Sequence, residues 1–417
     1  MKLRLISATL LLAVASVFAS AQVDYLKELK KHPEYLDATD YLCATGPVAL
    51  TPAPEGYEAF YLSHYGRHGA RYAWQSDLYK KIHKLLDKAA DEDNLTAQGK
   101  DWKERFDQLY PSVRYRTGDL SRKGWQQQKE LAERMYANFP EIFPEGAHVR
   151  AWTSTSTRCV MTMSSFCLGL KGCNPRLDIF ENFGKYFLPA ILPLDESNPF
   201  REKDFKQTPV SFNETWEEYI GRTIDYKPIL GRLFKDIDAA VPEKEQWDLV
   251  SYLYFYAAGM NSLDTDLKFY DIFTPEERVA LFKIDNFQFY WYAWGTHLGY
   301  YPILRDIIAK ADERIAAGEV GADLRFGHDY TILPLFMTLG VNGFGHDIDN
   351  PDEIPSWCPA WDVPMGANIH FVFYRAEGKP TLFKVLLNGR EATLPMPAVS
   401  GPYYDWAAFK AQAYKPE

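Results

Sequence analysis

The segment Arg67-His68-Gly69-Ala70-Arg71 holds a histidine between two arginines, a combination that suits phosphate chemistry. It follows a hydrophobic run at 58–64 that predicts a strand ending just before the histidine. Guanidinium groups resist burial without an anionic partner, and their planar geometry matches the oxygens of a phosphoryl group. A neutral imidazole whose other ring nitrogen is hydrogen-bonded can attack phosphorus. These residues therefore indicate covalent phosphoryl transfer, and the alternative is a charged surface turn.

Arg158 is a further arginine at a predicted junction between a strand and a helix. Residues 148–152 have a strand pattern, and the apolar residues at 160, 163, 167 and 170 share one face of the helix that follows. Backbone N–H groups at such a junction commonly bind anions. Arg158 is thus a candidate for the same phosphate site.

His328 and Asp329 precede an apolar segment that predicts a helix. If Thr331 caps this helix, Pro334 falls in its first turn, where the missing N–H breaks no intrahelical bond. An aspartate in front of such a helix, close to a bound phosphate, can donate a proton to the leaving oxygen. The alternative for this dipeptide is an ordinary capping turn.

The same two residue types recur at His346 and Asp347, but an acidic loop follows them instead of an apolar helix. Since acidic side chains repel phosphate, we predict a structural loop near the mouth of the site, with contact to substrate or a cation as the alternative. Structural roles are also predicted for three other histidines: His64, His297 and His370.

The N-terminus predicts an export signal. Lys2 and Arg4 precede a largely apolar run at 5–18, and Ala19-Ser20-Ala21 has the small residues of a signal-peptidase site. The run is too short to predict a membrane span. We therefore expect cleavage near Ala21 and an exported protein, periplasmic or secreted, without a membrane span.

The charge balance excludes some classes of partner. The chain has 46 Lys and Arg against 56 Asp and Glu, a net charge of −10, and loss of Lys2 and Arg4 with the leader makes it more negative. Such a surface does not suit nucleic acids or anionic membranes, so we expect a small-molecule partner. The oligomeric state is left open.

The cysteine count allows at most two disulfides, which export would permit. The spacing does not determine a pairing, and it matches neither a zinc site nor the Cys-x5-Arg pattern of thiol-based phosphatases. The five cysteines are Cys43, Cys159, Cys167, Cys173 and Cys358.

Strand and helix patterns alternate in the first part of the chain, and a hairpin pattern returns at 369–387. The aromatic-rich stretch between them has helical patterns, including a capping box at Thr274-Pro275-Glu276-Glu277. This order predicts an α/β fold, with a mixed sheet covered by helices on both faces and an all-helical cap. The predicted divisions are a signal peptide at 1–21, an α/β core at 22–190 and 291–417, and a helical cap insertion at 191–290.

Four ordered motifs between about Tyr57 and Gly340 resemble those of the histidine acid phosphatases. These enzymes form branch 2 of the histidine phosphatase superfamily, which includes phytases and multiple inositol polyphosphate phosphatases. The motifs are Arg67-His68-Gly69-x-Arg71, Leu120-Ser121-x-x-Gly124 with Gln127 and Leu131, Ser154-x-x-x-Arg158 with Ser164-Ser165-Phe166-x-x-Gly169, and His328-Asp329.

The resemblance implies a phosphoglycerate-mutase-like core with a helical domain, and a site at the boundary between them. It makes His68 the nucleophile and Asp329 the proton donor. The implied phosphate pocket comprises Arg67, Arg71, Arg158 and His328. The chain differs from the family pattern at Ala73, where a proline is common. It also has His-Asp at 328–329, where the inositol polyphosphate phosphatases usually have His-Ala-Glu.

Together these observations predict a phosphomonoesterase that works through a phosphohistidine and needs no metal or other cofactor, because guanidiniums supply the positive charge. Inositol phosphates, phytate or lower, are the favoured substrates, since the helical segment at 273–290 also resembles the inositol polyphosphate phosphatases. A broad-specificity acid phosphatase on sugar phosphates and a non-catalytic phosphate-binding protein are the alternatives.

The same reading makes two further predictions. Because Asp329 must be protonated and His68 neutral in the first step, we expect an acidic to near-neutral optimum. Cations of the helical cap that could bind further phosphates are Arg201, Lys203, Lys206 and Arg222, with solvated surface charges as the alternative.

Overall fold

A mixed sheet of eight strands forms the centre of the computed structural model, which describes residues 23–75 and 77–413. The strands are β1 (Glu58–Arg67), β2 (His148–Thr153), β3 (Asp178–Phe183), β4 (Gly321–Gly327), β5 (Asn368–Arg375), β6 (Leu382–Leu387), β7 (Arg390–Ala392) and β8 (Tyr404–Asp405). Their order is β3-β2-β4-β1-β5-β6-β7, and β8 also pairs with β6. The predicted signal peptide and its cleavage position lie outside the described residues.

The sheet combines parallel and antiparallel strands. The pairs β1–β4, β2–β4 and β2–β3 are parallel, as expected for strands joined by long helical crossovers. β5 runs antiparallel to β1, and the short link between β5 and β6 gives the predicted antiparallel hairpin. The prediction of a mixed α/β sheet is confirmed.

Helices occupy the connections between the strands. The α-helices are α1 (Tyr25–Lys31), α2 (Leu78–Asp91), α3 (Ala97–Val113), α4 (Arg122–Asn138), α5 (Thr157–Cys173), α6 (Trp216–Thr223), α7 (Lys227–Leu233), α8 (Ile237–Ala240), α9 (Glu243–Gly259), α10 (Pro275–Thr296), α11 (Tyr301–Ala317), α12 (Asp329–Leu339), α13 (Ile354–Trp357) and α14 (Trp406–Ala413). Short 3-10 helices lie at Pro33–Asp40, Pro140–Ile142, Lys185–Ala190, Met260–Ser262, Tyr270–Ile272, His297–Tyr300, Val341–Gly343, Pro351–Glu353 and Ala360–Asp362. None of the helices in the described part of the chain combines the length and hydrophobicity that a transmembrane span requires.

Helices cover both faces of the sheet, as predicted. On one face, α4 and α5 place Leu131 and Phe166 in a core with Leu62 of β1. On the other face, α11 and α12 contribute Ile307 and Ile332 to a larger core, which continues into the helical stretch between β3 and β4. Successive residues of a strand point to opposite faces, so β1 contributes to both cores.

The stretch between β3 and β4 contains helices α6 to α11 and, within the described residues, no strand. The predicted capping box is confirmed at the start of α10, where Thr274 and Glu277 each accept a hydrogen bond from the other's backbone N–H. The predicted boundary at residue 290 falls inside α10, which is continuous. The division into two domains stays a prediction.

All five cysteines are free thiols in the structure. Four of them are buried, and Cys173 is partly exposed. Neither of the two disulfides that the cysteine count allows is formed.

Candidate active site

The predicted site residues converge at the carboxyl ends of three parallel strands. Arg67 ends β1 and lies in register with Gly327, which ends β4. β2 flanks β4 on its other side and ends at Thr153, opposite Phe326. Because the carboxyl ends of neighbouring parallel strands meet at one edge, the segments that follow them are brought together. The residues gathered there are Arg67, His68, Arg71, Arg158, His328 and Asp329.

His68 is held in place on both sides and kept neutral. Its backbone N–H donates to the Gly327 carbonyl at 2.9 Å, and its own carbonyl accepts from the Gly366 N–H at 3.0 Å. Nδ1 lies 2.9 Å from the Gly69 carbonyl, and since a carbonyl only accepts, Nδ1 carries the proton and Nε2 keeps a lone pair. Burial, together with the charges of the three arginines, lowers the pKa of His68 well below its ordinary value. The geometry therefore suits a nucleophile that reacts at Nε2.

Arg67 is buried, and its guanidinium is bound on several sides. Nη1 donates to the Thr39 carbonyl at 2.5 Å and to the Val363 carbonyl at 2.7 Å. Nη2 donates to Oδ2 of Asp329 at 2.6 Å. The two bonds from Nη1 fix the guanidinium at the base of the site. Nη2 is the nitrogen that binds the Asp329 carboxylate.

Asp329 is therefore ionised in the free protein. Its Oδ1 accepts from the Tyr330 N–H at 2.9 Å, and its side chain is only 15% exposed. Burial alone would raise the pKa of Asp329, but the charges of Arg67 and Arg71 outweigh it and hold the pKa below its ordinary value. To serve as a proton donor, this carboxyl must gain a proton when the substrate binds.

Arg71 is also buried, and its counter-ion is Asp40. Nη2 of Arg71 lies 3.5 Å from Oδ1 of Asp40, and Nη1 donates to the Tyr72 carbonyl at 3.3 Å. Burial raises the pKa of Asp40, while Arg71 and Arg67 oppose that shift. Both contacts of Arg71 are long for hydrogen bonds, so the guanidinium can rebind to a phosphate.

Arg158, His328 and Cys159 form a chain of contacts beside His68. Nη2 of Arg158 lies 3.1 Å from Nδ1 of His328; since arginine only donates, Nδ1 accepts and Nε2 carries the proton. That Nε2 lies 3.5 Å from Sγ of Cys159, which donates to the Gly327 carbonyl at 3.4 Å. Burial and the charge of Arg158 lower the pKa of His328 to about 3, so its ring is neutral. In this arrangement one ring nitrogen of His328 binds Arg158 and the other contacts Cys159, and the place of His328 in the phosphate pocket stays a prediction.

The loop after His68 is fixed by the start of α4. Ser121 donates to the Ala70 carbonyl from its N–H at 2.9 Å and from its hydroxyl at 3.1 Å. Gln127 accepts from the Ala70 N–H at 3.1 Å. A Cβ on Gly124 would lie 2.0 Å from the Ala70 oxygen, so only glycine allows this approach. The prediction of Ser121 as the N-cap is confirmed, since its hydroxyl accepts from the Gly124 N–H.

α12 begins at Asp329, earlier than predicted. His328 is its N-cap, in an extended conformation, and the His328 carbonyl accepts from the Ile332 N–H at 3.0 Å. The prediction of Thr331 as the N-cap is wrong, because β4 passes directly into the helix. Thr331 lies in the first turn of the helix, and its side chain is buried. Pro334 consequently lies in the second turn. The Asp329 carboxylate sits in the first turn, where the helix dipole favours negative charge.

The sequence over residues 66–388 matches the family model of the histidine phosphatase superfamily, branch 2. The chain belongs to this family. The predictions of the family and of a phosphatase enzyme are thereby confirmed. No curated protein matches the sequence of this phosphatase.

Solved structures of a multiple inositol polyphosphate phosphatase and of phytases have the same fold as this phosphatase. The Bifidobacterium longum multiple inositol polyphosphate phosphatase, in complex with inositol hexasulfate, has a TM-score of 0.73 at 16% identity, with 91% of this chain and 97% of that chain covered. The phytase from D. castellii has a TM-score of 0.64 at 17% identity, with coverage of 91% and 85%. The Citrobacter braakii phytase has a TM-score of 0.54 at 14% identity, with coverage of 85% and 97%. At these identities the likeness shows the fold, and the predicted fold class is confirmed.

The other histidines of the phosphatase have the structural surroundings that we predict for them. His64 and His370 are paired on the neighbouring strands β1 and β5 with ring centroids 4.9 Å apart, and His64 stacks on Phe166. Burial lowers the pKa of both, so the pair is neutral. His297 donates from Nδ1 to the Trp294 carbonyl at 2.6 Å.

The second His-Asp pair has contacts with the loops and helices around it. Oδ2 of Asp347 accepts from the Ser211 hydroxyl at 2.7 Å, and the His346 ring stacks on Trp357 at 4.5 Å. The predicted structural role of this loop agrees with these contacts. It also makes Asp347 a suitable control for Asp329.

Residues that the sequence analysis did not identify complete the surroundings of the arginines. Thr39 and Val363 contribute only backbone carbonyls, which every residue type has and which therefore cannot be predicted from the sequence. Asp40 lies before β1 and meets Arg71 only through the fold. One feature of the sequence could have identified Cys159 as a site residue: it directly follows Arg158 at the start of a predicted helix.

One group in the described part of the chain has the residue types of a metal site. It consists of His83, Asp87 and Asp107 on α2 and α3. The Lys103 ammonium lies 2.7 Å from Asp87 and 2.6 Å from Asp107, so a side chain already supplies the cation there. We interpret the group as an ion-pair network that joins the two helices.

Proposed function

We propose that this phosphatase hydrolyses phosphomonoesters through a phosphohistidine formed at Nε2 of His68. The observation that carries the proposal is the neutral His68 ring, tied at Nδ1 to the Gly69 carbonyl and surrounded by three guanidiniums. A protein that only binds phosphate needs the cations, but it has no need of an imidazole held with a free lone pair.

In the first step, Nε2 of His68 attacks the phosphorus, and the bond between the phosphorus and the leaving oxygen breaks. The guanidiniums of Arg71 and Arg158 stabilise the charge on the equatorial oxygens. Asp329 gives its proton to the leaving oxygen. The bound phosphate offsets the arginine charges that hold the pKa of Asp329 low, so the carboxyl takes up this proton from solvent in the complex.

In the second step, water attacks the phosphorus and the bond to Nε2 breaks. The Asp329 carboxylate accepts the proton of the attacking water and releases it to solvent when phosphate leaves. The Gly69 carbonyl keeps the Nδ1 proton in place while the ring carries positive charge. Inorganic phosphate leaves, and His68 is neutral again.

Inositol phosphates are the substrates that we propose. Support comes from the fold, which this chain shares with a multiple inositol polyphosphate phosphatase and with phytases. The buried arginines suit a compact phosphomonoester group that reaches deep into the site.

Export is also part of the proposal. It is supported by the N-terminal pattern of Lys2, Arg4, an apolar run and Ala19-Ser20-Ala21. Expression of the full chain in a bacterium, followed by N-terminal sequencing of the purified protein, checks it. We expect the mature chain to begin at Gln22, and an intact N-terminus would contradict export.

An alkaline quench during turnover of labelled substrate tests the covalent step. We expect a base-stable, acid-labile phosphoprotein that is absent in His68→Ala, with activity lower by roughly 10³-fold or more. His346→Ala is the matched control, because that histidine stacks on Trp357 in an outer loop. Full activity of His68→Ala would end the proposal.

A substrate panel tests the specificity. We expect phytate or lower inositol phosphates to have a higher kcat/KM than sugar phosphates and nucleotides at the same pH. Equal values across the panel would identify a broad-specificity acid phosphatase instead.

A further inference from the structure

A groove of about 350 Å³ opens on the surface between the first turns of α4 and α5. Its lining includes Arg116, Asp119, Arg122, Trp125 and Thr157. None of these residues belongs to the predicted site, and the mechanism above gives none of them a role.

The groove begins directly beside the phosphate-binding residues. Thr157 precedes Arg158 in the chain, so the two side chains leave the same turn of α5. Gly118 lies between the lining residues Arg116 and Asp119 and donates from its N–H to the Ala73 carbonyl at 2.7 Å. This bond joins that side of the groove to the loop after His68. A Cβ on Gly118 would lie 3.8 Å from Nη1 of Arg158. A ligand held by Arg158 can therefore extend into the groove.

The groove contains one cation without a partner. Arg116 is compensated, because Asp119 accepts from its Nε at 3.2 Å, and its guanidinium lies 4.3 Å above the Tyr72 ring. Arg122 is exposed, and no described residue accepts a hydrogen bond from its guanidinium or pairs with its charge. On a protein with a net charge of −10, such an arginine beside a phosphate pocket favours an anionic ligand.

We propose that Arg122 binds a second phosphate group of the substrate while the first occupies the pocket at His68. The inference rests on the proposed function and names its substrate class: small cyclic polyols that carry phosphomonoesters on neighbouring carbons. Trp125 offers an apolar surface to the carbon ring of such a ligand. Arg122 thus selects substrates with several phosphates over substrates with one.

Of the cap cations considered from the sequence, one is less suited to this role. Arg222 is already paired with Glu214 and Asp352. Arg201, Lys203 and Lys206 are rivals that the same experiment can compare with Arg122.

The purified full chain and its Arg122→Gln variant are compared on phytate and on 4-nitrophenyl phosphate. We expect the variant's kcat/KM to fall about 10-fold more for phytate than for 4-nitrophenyl phosphate, as loss of one charge-assisted hydrogen bond implies. In calorimetry, the variant's affinity for inositol hexasulfate should likewise fall more than its affinity for inorganic phosphate. Because Arg122 is exposed, we expect the variant to fold normally.

Arg176→Gln is the matched control. Arg176 is an exposed arginine that precedes β3, at the amino edge of the parallel strands, whereas the site lies at their carboxyl edge. We expect no change in either rate. Arg201→Gln represents the rival cap cations.

Equal losses on both substrates in Arg122→Gln, or no loss on either, would overturn the proposal. So would a selective loss for phytate in Arg201→Gln alone. If the wild-type protein does not hydrolyse phytate, the proposed function fails, and the binding data then decide about Arg122. Selective weakening of inositol hexasulfate binding in Arg122→Gln would support the second phosphate site even so, and its absence would overturn it.

Discussion

Arg67 and Asp329 form a partly buried ion pair across the ends of two neighbouring parallel strands, with Nη2 2.6 Å from Oδ2. The other terminal nitrogen of Arg67 is bound to the carbonyls of Thr39 and Val363, so the guanidinium is held in place. An acid catalyst in this position stays ionised until an anionic substrate offsets the arginine charges. In the proposed mechanism the pair therefore couples substrate binding to protonation of Asp329.

Substitution of Asp329 tests its role as the acid. We expect Asp329→Asn to slow hydrolysis of poor leaving groups by roughly 10²- to 10⁴-fold. Hydrolysis of 4-nitrophenyl phosphate should slow much less, since its leaving oxygen scarcely needs a proton. Steady-state rates on the two substrates check this. Asp347→Asn is the control, because Asp347 bonds to Ser211, and the proposal is wrong if that variant alone shows the leaving-group effect.

The ion pair also predicts a difference between two pH profiles. The pKa of Asp329 lies below its ordinary value in the free protein, and we expect bound phosphate to raise it. Since kcat/KM reports the free enzyme and kcat the complex, kcat/KM should decline at a lower pH than kcat as the pH rises. Burial and the arginine charges hold the pKa of His68 well below its ordinary value, which favours the neutral ring that the attack requires. Rates measured with a poor leaving group check the order, and the reverse order would contradict the coupling.

Cys159 should act as a positioning residue for His328. Its Sγ is 3.5 Å from Nε2 of His328, and loss of one such neutral contact corresponds to a roughly 2- to 10-fold lower kcat/KM in Cys159→Ala. Cys159→Ser should recover most of the loss, because a hydroxyl also accepts. Cys167→Ala is the matched control, a buried cysteine on the same helix. Equal losses in the two alanine variants would show that only packing is involved.

Asp285 should make the folded state less stable as the pH rises. Its Oδ2 is buried without a hydrogen-bond partner, and burial, together with Asp40 and Asp329, raises its pKa to about 8. The unfolded group has a pKa of about 3.9, so between these values the folded chain binds the extra proton and stability falls with rising pH. Asp285→Asn removes this contribution, and we expect Tm to rise by roughly 2–4 °C at pH 8 and by less at pH 5.

Thermal unfolding at the two pH values checks the prediction for Asp285. The exposed Asp264→Asn is the control and should leave the pH dependence of Tm unchanged. A gain in Tm that is the same at pH 5 and pH 8 would show that the buried carboxyl does not titrate as described.

The sequence alone determined which residues could take part in the chemistry. His68, Arg158 and His328 each stand just after a strand or at the start of a helix, and both element types can be read from local hydrophobic periodicity. The caps at Ser121 and Thr274 are local too, because each hydroxyl bonds to a backbone N–H three residues further on. Such signals depend on neighbours in the chain, so they can be recognised without knowledge of the fold.

Tertiary structure decided how those residues are held. The pairing of Arg67 with Asp329, the approach of Asp40 to Arg71 and the contact of Cys159 with His328 depend on strand register and on loops from distant parts of the chain. The start of α12 was mispredicted for the same reason, since the buried end of β4 places His328, and not Thr331, at the N-cap. Protonation states follow from burial and from charges that only the folded chain brings close to the titrating group. They therefore cannot be predicted from the local sequence.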